Sequence, residues 1–272
     1  VNSIQKKFSI TSTKHQKTYL ISTLSIIIVA ISFIILSTYF ESQHVELYLN
    51  TLTVIAVGFA FWASLRVLNR QKWILYKLLK ASWFYISIGF GLWFIAETIW
   101  LTYTIILGKP LEFSIADITW LLGYIFIFAG LYRSVKPFSL LFKKTGLNHK
   151  MKLAYAIPSI LGTLLIAITL VNVPEVVNEE GLTTVIVDTS YVILDLVLLT
   201  LALKALLFFN SGKISNGLTL FSTGLALLAV SDLPYFVIGG YYPWNILDLL
   251  YVISYIVIAT GIYIYSRQTP II

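Results

Sequence analysis

The stretch ADITWLLGYIFIFAGLY (116–132) returns as LDLLYVISYIVIATGIY (247–263), at a constant offset of 131. Asp117 falls on Asp248, Tyr124 on Tyr255, Gly130 on Gly261 and Tyr132 on Tyr263; Ile125 and Ile127 also match, and Trp120 falls on Tyr251. Each copy sits in an apolar block of about twenty residues, which as a helix rising about 1.5 Å per residue crosses a hydrocarbon core of about 30 Å. Similar blocks lie outward along the chain, giving spans near residues 19–39, 48–69, 82–107, 114–135, 152–173, 184–208, 216–238 and 245–266. Transmembrane strands would be shorter and would alternate apolar with polar residues, which these blocks do not. Composition agrees: 58% of the chain is hydrophobic and 11% charged, against about 25% charged in soluble domains.

Upstream of the two copies, GLWFIAETIW (91–100) resembles GLALLAVSDLPY (224–235), each a Gly-Leu start followed by an acidic residue. An even number of spans separates the copies, so they share one orientation. The expectation is an all-α integral membrane protein of eight transmembrane helices, built as two parallel four-helix repeats (19–135 and 152–267). A basic tail (1–18), a basic linker (136–151) and a short tail (268–272) complete the chain. The first span reads as a retained signal anchor, being too long for a cleaved h-region and lacking a small-x-small site.

Charge predicts the topology. Lys6, Lys7, Lys14 and Lys17 precede span 1, and Arg66, Arg70, Lys72, Lys77 and Lys80 join spans 2 and 3. Arg133, Lys136, Lys143, Lys144, Lys150 and Lys152 join spans 4 and 5, Lys204 and Lys213 flank the next such link, and Arg267 ends span 8. Of all the basic residues only Lys109 falls on the other side. The positive-inside rule then places both termini in the cytoplasm of a cell-membrane protein. The basic segments 70–80 and 136–150 either set topology alone or also hold anionic membrane lipid. A net charge of +7 distributed this way indicates no nucleic-acid partner.

Several chemistries are excluded. The chain has no cysteine, so disulfides, thiol catalysis, iron–sulfur clusters and cysteine zinc sites are out. His15, His44 and His149 fall in predicted loops or tails, which removes an intramembrane bis-histidine haem. H-E-x-x-H and G-x-S-x-G are absent, as is the Tyr-Asp and Gly-x-Gly-Asp pair of intramembrane aspartyl proteases. Lys204 is misplaced for a retinal Schiff base in the final helix. No cofactor is expected, and nothing supports an enzyme.

The acids are the informative residues. Glu41, Glu46, Glu112, Glu175, Glu179 and Glu180 are assigned to outer loops; Glu97, Asp117, Asp188, Asp195, Asp232 and Asp248 lie within spans or at their outer ends. Asp117–Trp120–Tyr124, Asp188–Tyr191–Asp195 and Asp248–Tyr251–Tyr255 follow i, i+3, i+7 spacing, which stacks side chains on one helix face. Trp93, Glu97, Trp100 and Thr104 make a comparable stripe, and Ser231, Asp232 and Tyr235 close span 7. Asp117 and Asp248 begin their helices, where a carboxylate caps backbone amides. Glu97 and Asp195 lie about 15 Å in by helical rise, where a charge costs about 2.5–3.5 kcal/mol. They must be protonated, hydrogen-bonded or neutralised by a cation. One reading joins helices through these acids. The other is an outward-open cavity of carboxylates and aromatics that takes cations or amphipathic molecules. Pro158 and Pro234 are candidate kinks or hinges.

The run SIADITWLLGYIFIFAGLY, preceded by GLWFIAETIW, resembles a group of bacterial and archaeal sensory membrane modules that commonly precede diguanylate cyclase or histidine kinase domains. In them an acidic, Trp/Ala-rich helix is followed by a Ser-x-Ala-Asp-x-x-Tyr-x-x-x-Tyr helix start. Ser114, Ala116, Asp117, Trp120 and Tyr124 occupy comparable positions, with Trp for the first Tyr; Asp248, Tyr251 and Tyr255 repeat the pattern. The resemblance covers about half the chain and implies ligand or membrane-state sensing. Five residues follow Arg267, so an output domain is not expected, and signalling would pass through a cytoplasmic partner. The alternatives are a cation- or proton-coupled transporter or channel, and a structural subunit beside other membrane subunits.

Overall fold

A computed structural model of the protein describes residues 2–70, 75–108, 113–144, 152–165, 167, 182–209, 215–238 and 246–267. Among them there is no strand. The helices are α1 (Asn2–Tyr39), α2 (Ser42–Arg70), α3 (Leu75–Leu107), α4 (Ile115–Lys144), α5 (Lys152–Leu165), α6 (Leu182–Phe209), α7 (Ser215–Ile238) and α8 (Ile246–Arg267). Seven are long and apolar enough to cross a membrane, over Gln16–Tyr39, Ser42–Asn69, Lys80–Leu107, Ile115–Lys136, Val185–Phe208, Asn216–Pro234 and Ile246–Arg267. The chain is therefore an all-helical, multi-pass membrane protein by length and composition. These segments overlap seven of the eight expected spans. In the remaining one, expected over 152–173, the described helix Lys152–Leu165 is shorter than the roughly 20 residues a crossing needs.

Six helices close a ring. α2 packs on α3, α3 on α4, α4 on α6, α6 on α7, α7 on α8, and α8 returns to α2. Helices joined directly along the chain run antiparallel, as Asn50 beside Thr104 and Ser82 beside Gly130 show. At the two remaining seams, α4 with α6 and α8 with α2, the helices run parallel, pairing Asp117 with Tyr191 and Glu46 with Asp248. α1 lies outside against α8 and α2, bonding Thr260 to Ser22 and packing Val29 and Phe33 on Val45, Leu49, Leu249 and Val252. α5 lies outside against α6, where Gly162 faces Leu196 and Leu165 meets Val192. Outward-facing Ile55, Ile125, Ile160 and Ile193 are all exposed, as hydrocarbon contact requires.

Glycines bring two helix pairs much closer than ordinary packing. A Cβ on Gly130 would lie 2.7 Å from the Ser82 carbonyl oxygen, and one on Gly261 would lie 2.3 Å from the Phe221 nitrogen. Backbone thus touches backbone in α3/α4 and α7/α8, the small-residue packing that replaces the hydrophobic drive inside a bilayer. Larger side chains fill the centre: Phe90 meets Phe221 edge-on at 6.3 Å, and Trp83 stacks on Tyr265 at 5.0 Å.

Some expectations change. Glu46, assigned to an outer loop, is in the second turn of α2 and 5% exposed. The apolar run of this span starts at residue 48, whereas helix begins at Ser42. His15 and His44 lie in α1 and α2 rather than in loops, because helix also extends beyond both apolar blocks; His44 is exposed. The basic tail is helical from Asn2, and α4 runs on through Lys144 into the expected linker. Lys72, Lys109, Lys150, Lys213, Glu112, Glu175, Glu179, Glu180, His149 and the tail 268–272 fall outside the described residues, as does the side chain of Tyr235.

Candidate functional site

The acid stripes converge inside the ring. Glu97 of α3 is 4% exposed and Asp195 of α6 is 1% exposed. Three donors from two other helices reach one Glu97 oxygen, Oε1: Trp120 Nε1 at 3.2 Å, Tyr251 OH at 3.2 Å and Tyr255 OH at 3.3 Å. The two tyrosine hydroxyls also lie 3.3 Å apart. Asp195 accepts a 2.6 Å bond from Tyr124 OH across the α4–α6 seam. In a medium without water such groups must find partners in protein, and phenol and indole supply them without adding charge.

Aromatic rings hold these donors in place. Trp93 is buried, with Tyr124 edge-on at 5.0 Å and Tyr255 edge-on at 6.1 Å, and its Nε1 donates to the Trp120 carbonyl at 3.2 Å. Trp100 leans on Trp120 at 5.4 Å. Because these residues recur at helical spacing, each stripe presents an acid or its donor to the same interior.

Asp117 has a different role from the deeper acids. Its Oδ2 accepts from Ser114 N at 2.8 Å and from Ser114 Oγ at 3.0 Å, while Ser114 Oγ accepts from Ala116 N at 3.1 Å. This reciprocal Ser-x-x-Asp arrangement caps α4, and Tyr191 of α6 donates to the remaining oxygen at 3.1 Å. Asp248, its sequence counterpart, also lies in the first turn of its helix and has Glu46 as an electrostatic neighbour. Asp188 is exposed near the start of α6.

Asp232 of α7 differs from Glu97 and Asp195 inside the ring. Asp195, Glu97 and Asp248 are its acidic neighbours, and Tyr124, Tyr191, Tyr251 and Tyr255 also lie near enough to interact with it electrostatically. No hydrogen bond to it occurs among the described residues, and it is only partly buried. Among the described residues toward the basic ends of the helices no acid is buried; Phe90, Ile127, Leu131, Leu198 and Leu225 are buried there beside Ser82, Ser87 and Ser222, whose hydroxyls find no hydrogen-bond partner. Among the described residues no group of three or more His, Asp or Glu is gathered closely enough to hold a metal ion.

Sequence reading missed a second polar line on α2. Glu46, Asn50 and Thr53 turn inward, with Asn50 Nδ2 donating to Thr104 at 3.2 Å. Their i, i+4, i+7 spacing was the available signal. A separate groove of about 490 Å³ lies at the basic ends of α2, α3 and α4, lined by Leu68, Asn69, Lys80, Ala81, Phe84, Tyr85 and Arg133.

The Tyr124–Asp195 bond gives a direct test of this geometry. Tyr124→Phe is expected to destabilise the protein by about 1–3 kcal/mol, since it strands a buried carboxyl. Thermal unfolding in detergent measures it, and an unchanged midpoint would place Asp195 elsewhere. No family model, curated protein or solved structure matches the chain.

Proposed function

We propose that the protein is a receptor-like membrane module that binds an organic cation at Asp232. The observation that carries this reading is the contrast between the acids: Glu97, Asp195 and Asp117 each accept hydrogen bonds from the protein, whereas Asp232 accepts none from the described residues. A carboxylate with partly buried Tyr191 and Tyr251 as neighbours suits an ammonium group, which gains from charge and from aromatic contact together. Partial exposure of Asp232 inside the ring supports an opening beside it. The lack of a buried acid beneath, among the described residues, argues for a site that receives a cation and against a path that passes one through. Sensing also accords with the resemblance carried by Ser114, Ala116, Asp117, Trp120 and Tyr124.

The reading includes two parallel repeats. Swapping α2 with α6, α3 with α7 and α4 with α8 leaves the ring's order of contacts unchanged. Gly89 abuts Ile127 and the Gly123 carbonyl, as Gly224 abuts Ile258 and the Ser254 carbonyl. These contacts pair α3 with α7 at an offset of 135, two residues from the match of Gly91 with Gly224, and so set Glu97 against Asp232. The proposed site then lies at the repeat mate of an acid that accepts three hydrogen bonds.

Titration of the purified protein with tetramethylammonium and choline, against sodium at equal ionic strength, tests the binding. Saturable binding of the organic cations that sodium does not displace is expected; its absence would end this reading. Orientation has its own test, because a chain without cysteine accepts single reporters cleanly. Ser42→Cys, exposed at the acidic end, is expected to react with an impermeant maleimide on intact cells, and Lys80→Cys, exposed at the basic end, only after lysis. The reverse pattern would invert the cytoplasmic placement of both termini.

A further inference from the structure

At the basic end of the α8–α2 seam, two arginines share one ring. The guanidinium carbon of Arg267 lies 4.7 Å from the centroid of Tyr263, and that of Arg66 lies 6.0 Å from it. Arg66 is also 5.4 Å from Trp62. Beneath them Phe59, Trp62 and Tyr263 form a stack, with Phe59 and Trp62 5.2 Å apart at 22° and Trp62 and Tyr263 6.0 Å apart at 24°. Elsewhere on this face, among the described residues, cations meet rings singly: Arg133 over Tyr85, Lys136 over Tyr132 and Lys204 over Tyr155.

Two like charges beside one ring repel each other, and an anion between them would relieve that repulsion. Cation–π contact moderates each charge but supplies no counter-ion, and neither arginine has a carboxylate partner among the described residues. Both Nε atoms are buried and lack a hydrogen-bond partner. Arg267 ends α8, where a cation commonly serves the last carbonyls; here its guanidinium instead lies back over the ring one turn earlier. The level is that of the membrane interface, since apolar helix ends here and the aromatic stack is half open, Phe59 at 43% and Trp62 at 44% exposed. Phosphate is the anion found at that level, and guanidinium matches its oxygens in a two-pronged fashion.

We propose that Arg66 and Arg267 together bind the phosphate of an anionic phospholipid headgroup, whose glycerol and upper acyl chain lie along Trp62 and Phe59. The lipid bridges α2 and α8 and so fastens a seam of the ring that has no chain connection of its own at this end. This site is separate from Asp232, and neither proposal depends on the other.

Native mass spectrometry of the full chain, released from micelles containing phosphatidylcholine and phosphatidylglycerol, tests the site. Wild type is expected to retain one phosphatidylglycerol under activation that strips phosphatidylcholine. Retention is expected to fall about tenfold or more in Arg66→Gln/Arg267→Gln. Lys80→Gln/Arg133→Gln, which removes the same charge from the same face, is expected to retain the lipid. Equal loss in both variants would mean a diffuse basic surface and overturn the site, as would undiminished retention in the arginine variant. Should that variant fail to fold, Arg66→Lys/Arg267→Lys keeps the charge without the two-pronged geometry, and several-fold weaker retention is expected. Equal retention there would refute the guanidinium site. Inorganic phosphate added at millimolar concentration separates the two sources of the anion: displacement of the lipid would assign the site to free phosphate, and persistence of the lipid supports the headgroup.

Discussion

Asp232→Asn is expected to weaken binding of tetramethylammonium or choline about tenfold or more, with little change in thermal stability. The substitution keeps the side chain's shape and removes its charge. No hydrogen bond from the described residues is lost, because Asp232 accepts none. What disappears is the attraction of a carboxylate for a desolvated ammonium, while aromatic contact with a cation contributes about 0.5–2 kcal/mol. Glu97→Gln is expected to behave in the opposite manner. It disturbs the acceptor for Trp120, Tyr251 and Tyr255, so stability falls while affinity changes less. Isothermal titration with thermal unfolding on the same preparations reads both quantities. Affinity lost equally in the two variants would make the acids one shared site, and affinity unchanged in Asp232→Asn would remove Asp232 from the site.

The second large effect is on folding. Gly261→Val is expected to leave little monodisperse protein, with a destabilisation of about 3 kcal/mol or more, at the upper end of overpacking costs. Its first added carbon would fall 2.3 Å from Phe221 N and 2.8 Å from the Gly217 carbonyl oxygen. Both are helix backbone, so relief requires α7 and α8 to separate along their length. Gly162→Ala is the mild counterpart. There the nearest atom is Leu196 Cδ1 at 2.9 Å, the end of a side chain that can turn aside. Size-exclusion profiles of the two variants in detergent should differ sharply. A normal profile for Gly261→Val would mean that α7 and α8 are not in backbone contact.

The acid stripes were legible because an amphipathic pattern inside an apolar block leaves few faces on which a carboxyl can hide. Trp93, Trp120, Tyr124, Tyr251 and Tyr255 were found by spacing, and they do line one interior with Glu97 and Asp195. Partnership was not legible. Sequence places Tyr124 on the face of Asp117, yet its hydroxyl serves Asp195 of another helix, because chain order does not say that α5 stands outside and lets α4 meet α6. Glu46 was missed for a simpler reason: the apolar count began two residues after it, although helix hydrogen bonding extends to Ser42.

Residues alone determined the helical class, seven of the spans and the gathering of basic side chains at one end. Those properties follow from the free energy of moving backbone and charge into hydrocarbon, which each segment meets by itself. Tertiary structure decided which acid is satisfied and which is open. Glu97 reaches three donors, whereas Asp232, on a side chain shorter by one methylene, reaches none among the described residues. It also decided that Arg66 and Arg267, 201 positions apart, share one ring. Such pairings depend on which helix faces come together, and that is settled by close packing at glycines such as Gly130 and Gly261 rather than by any local property of the chain.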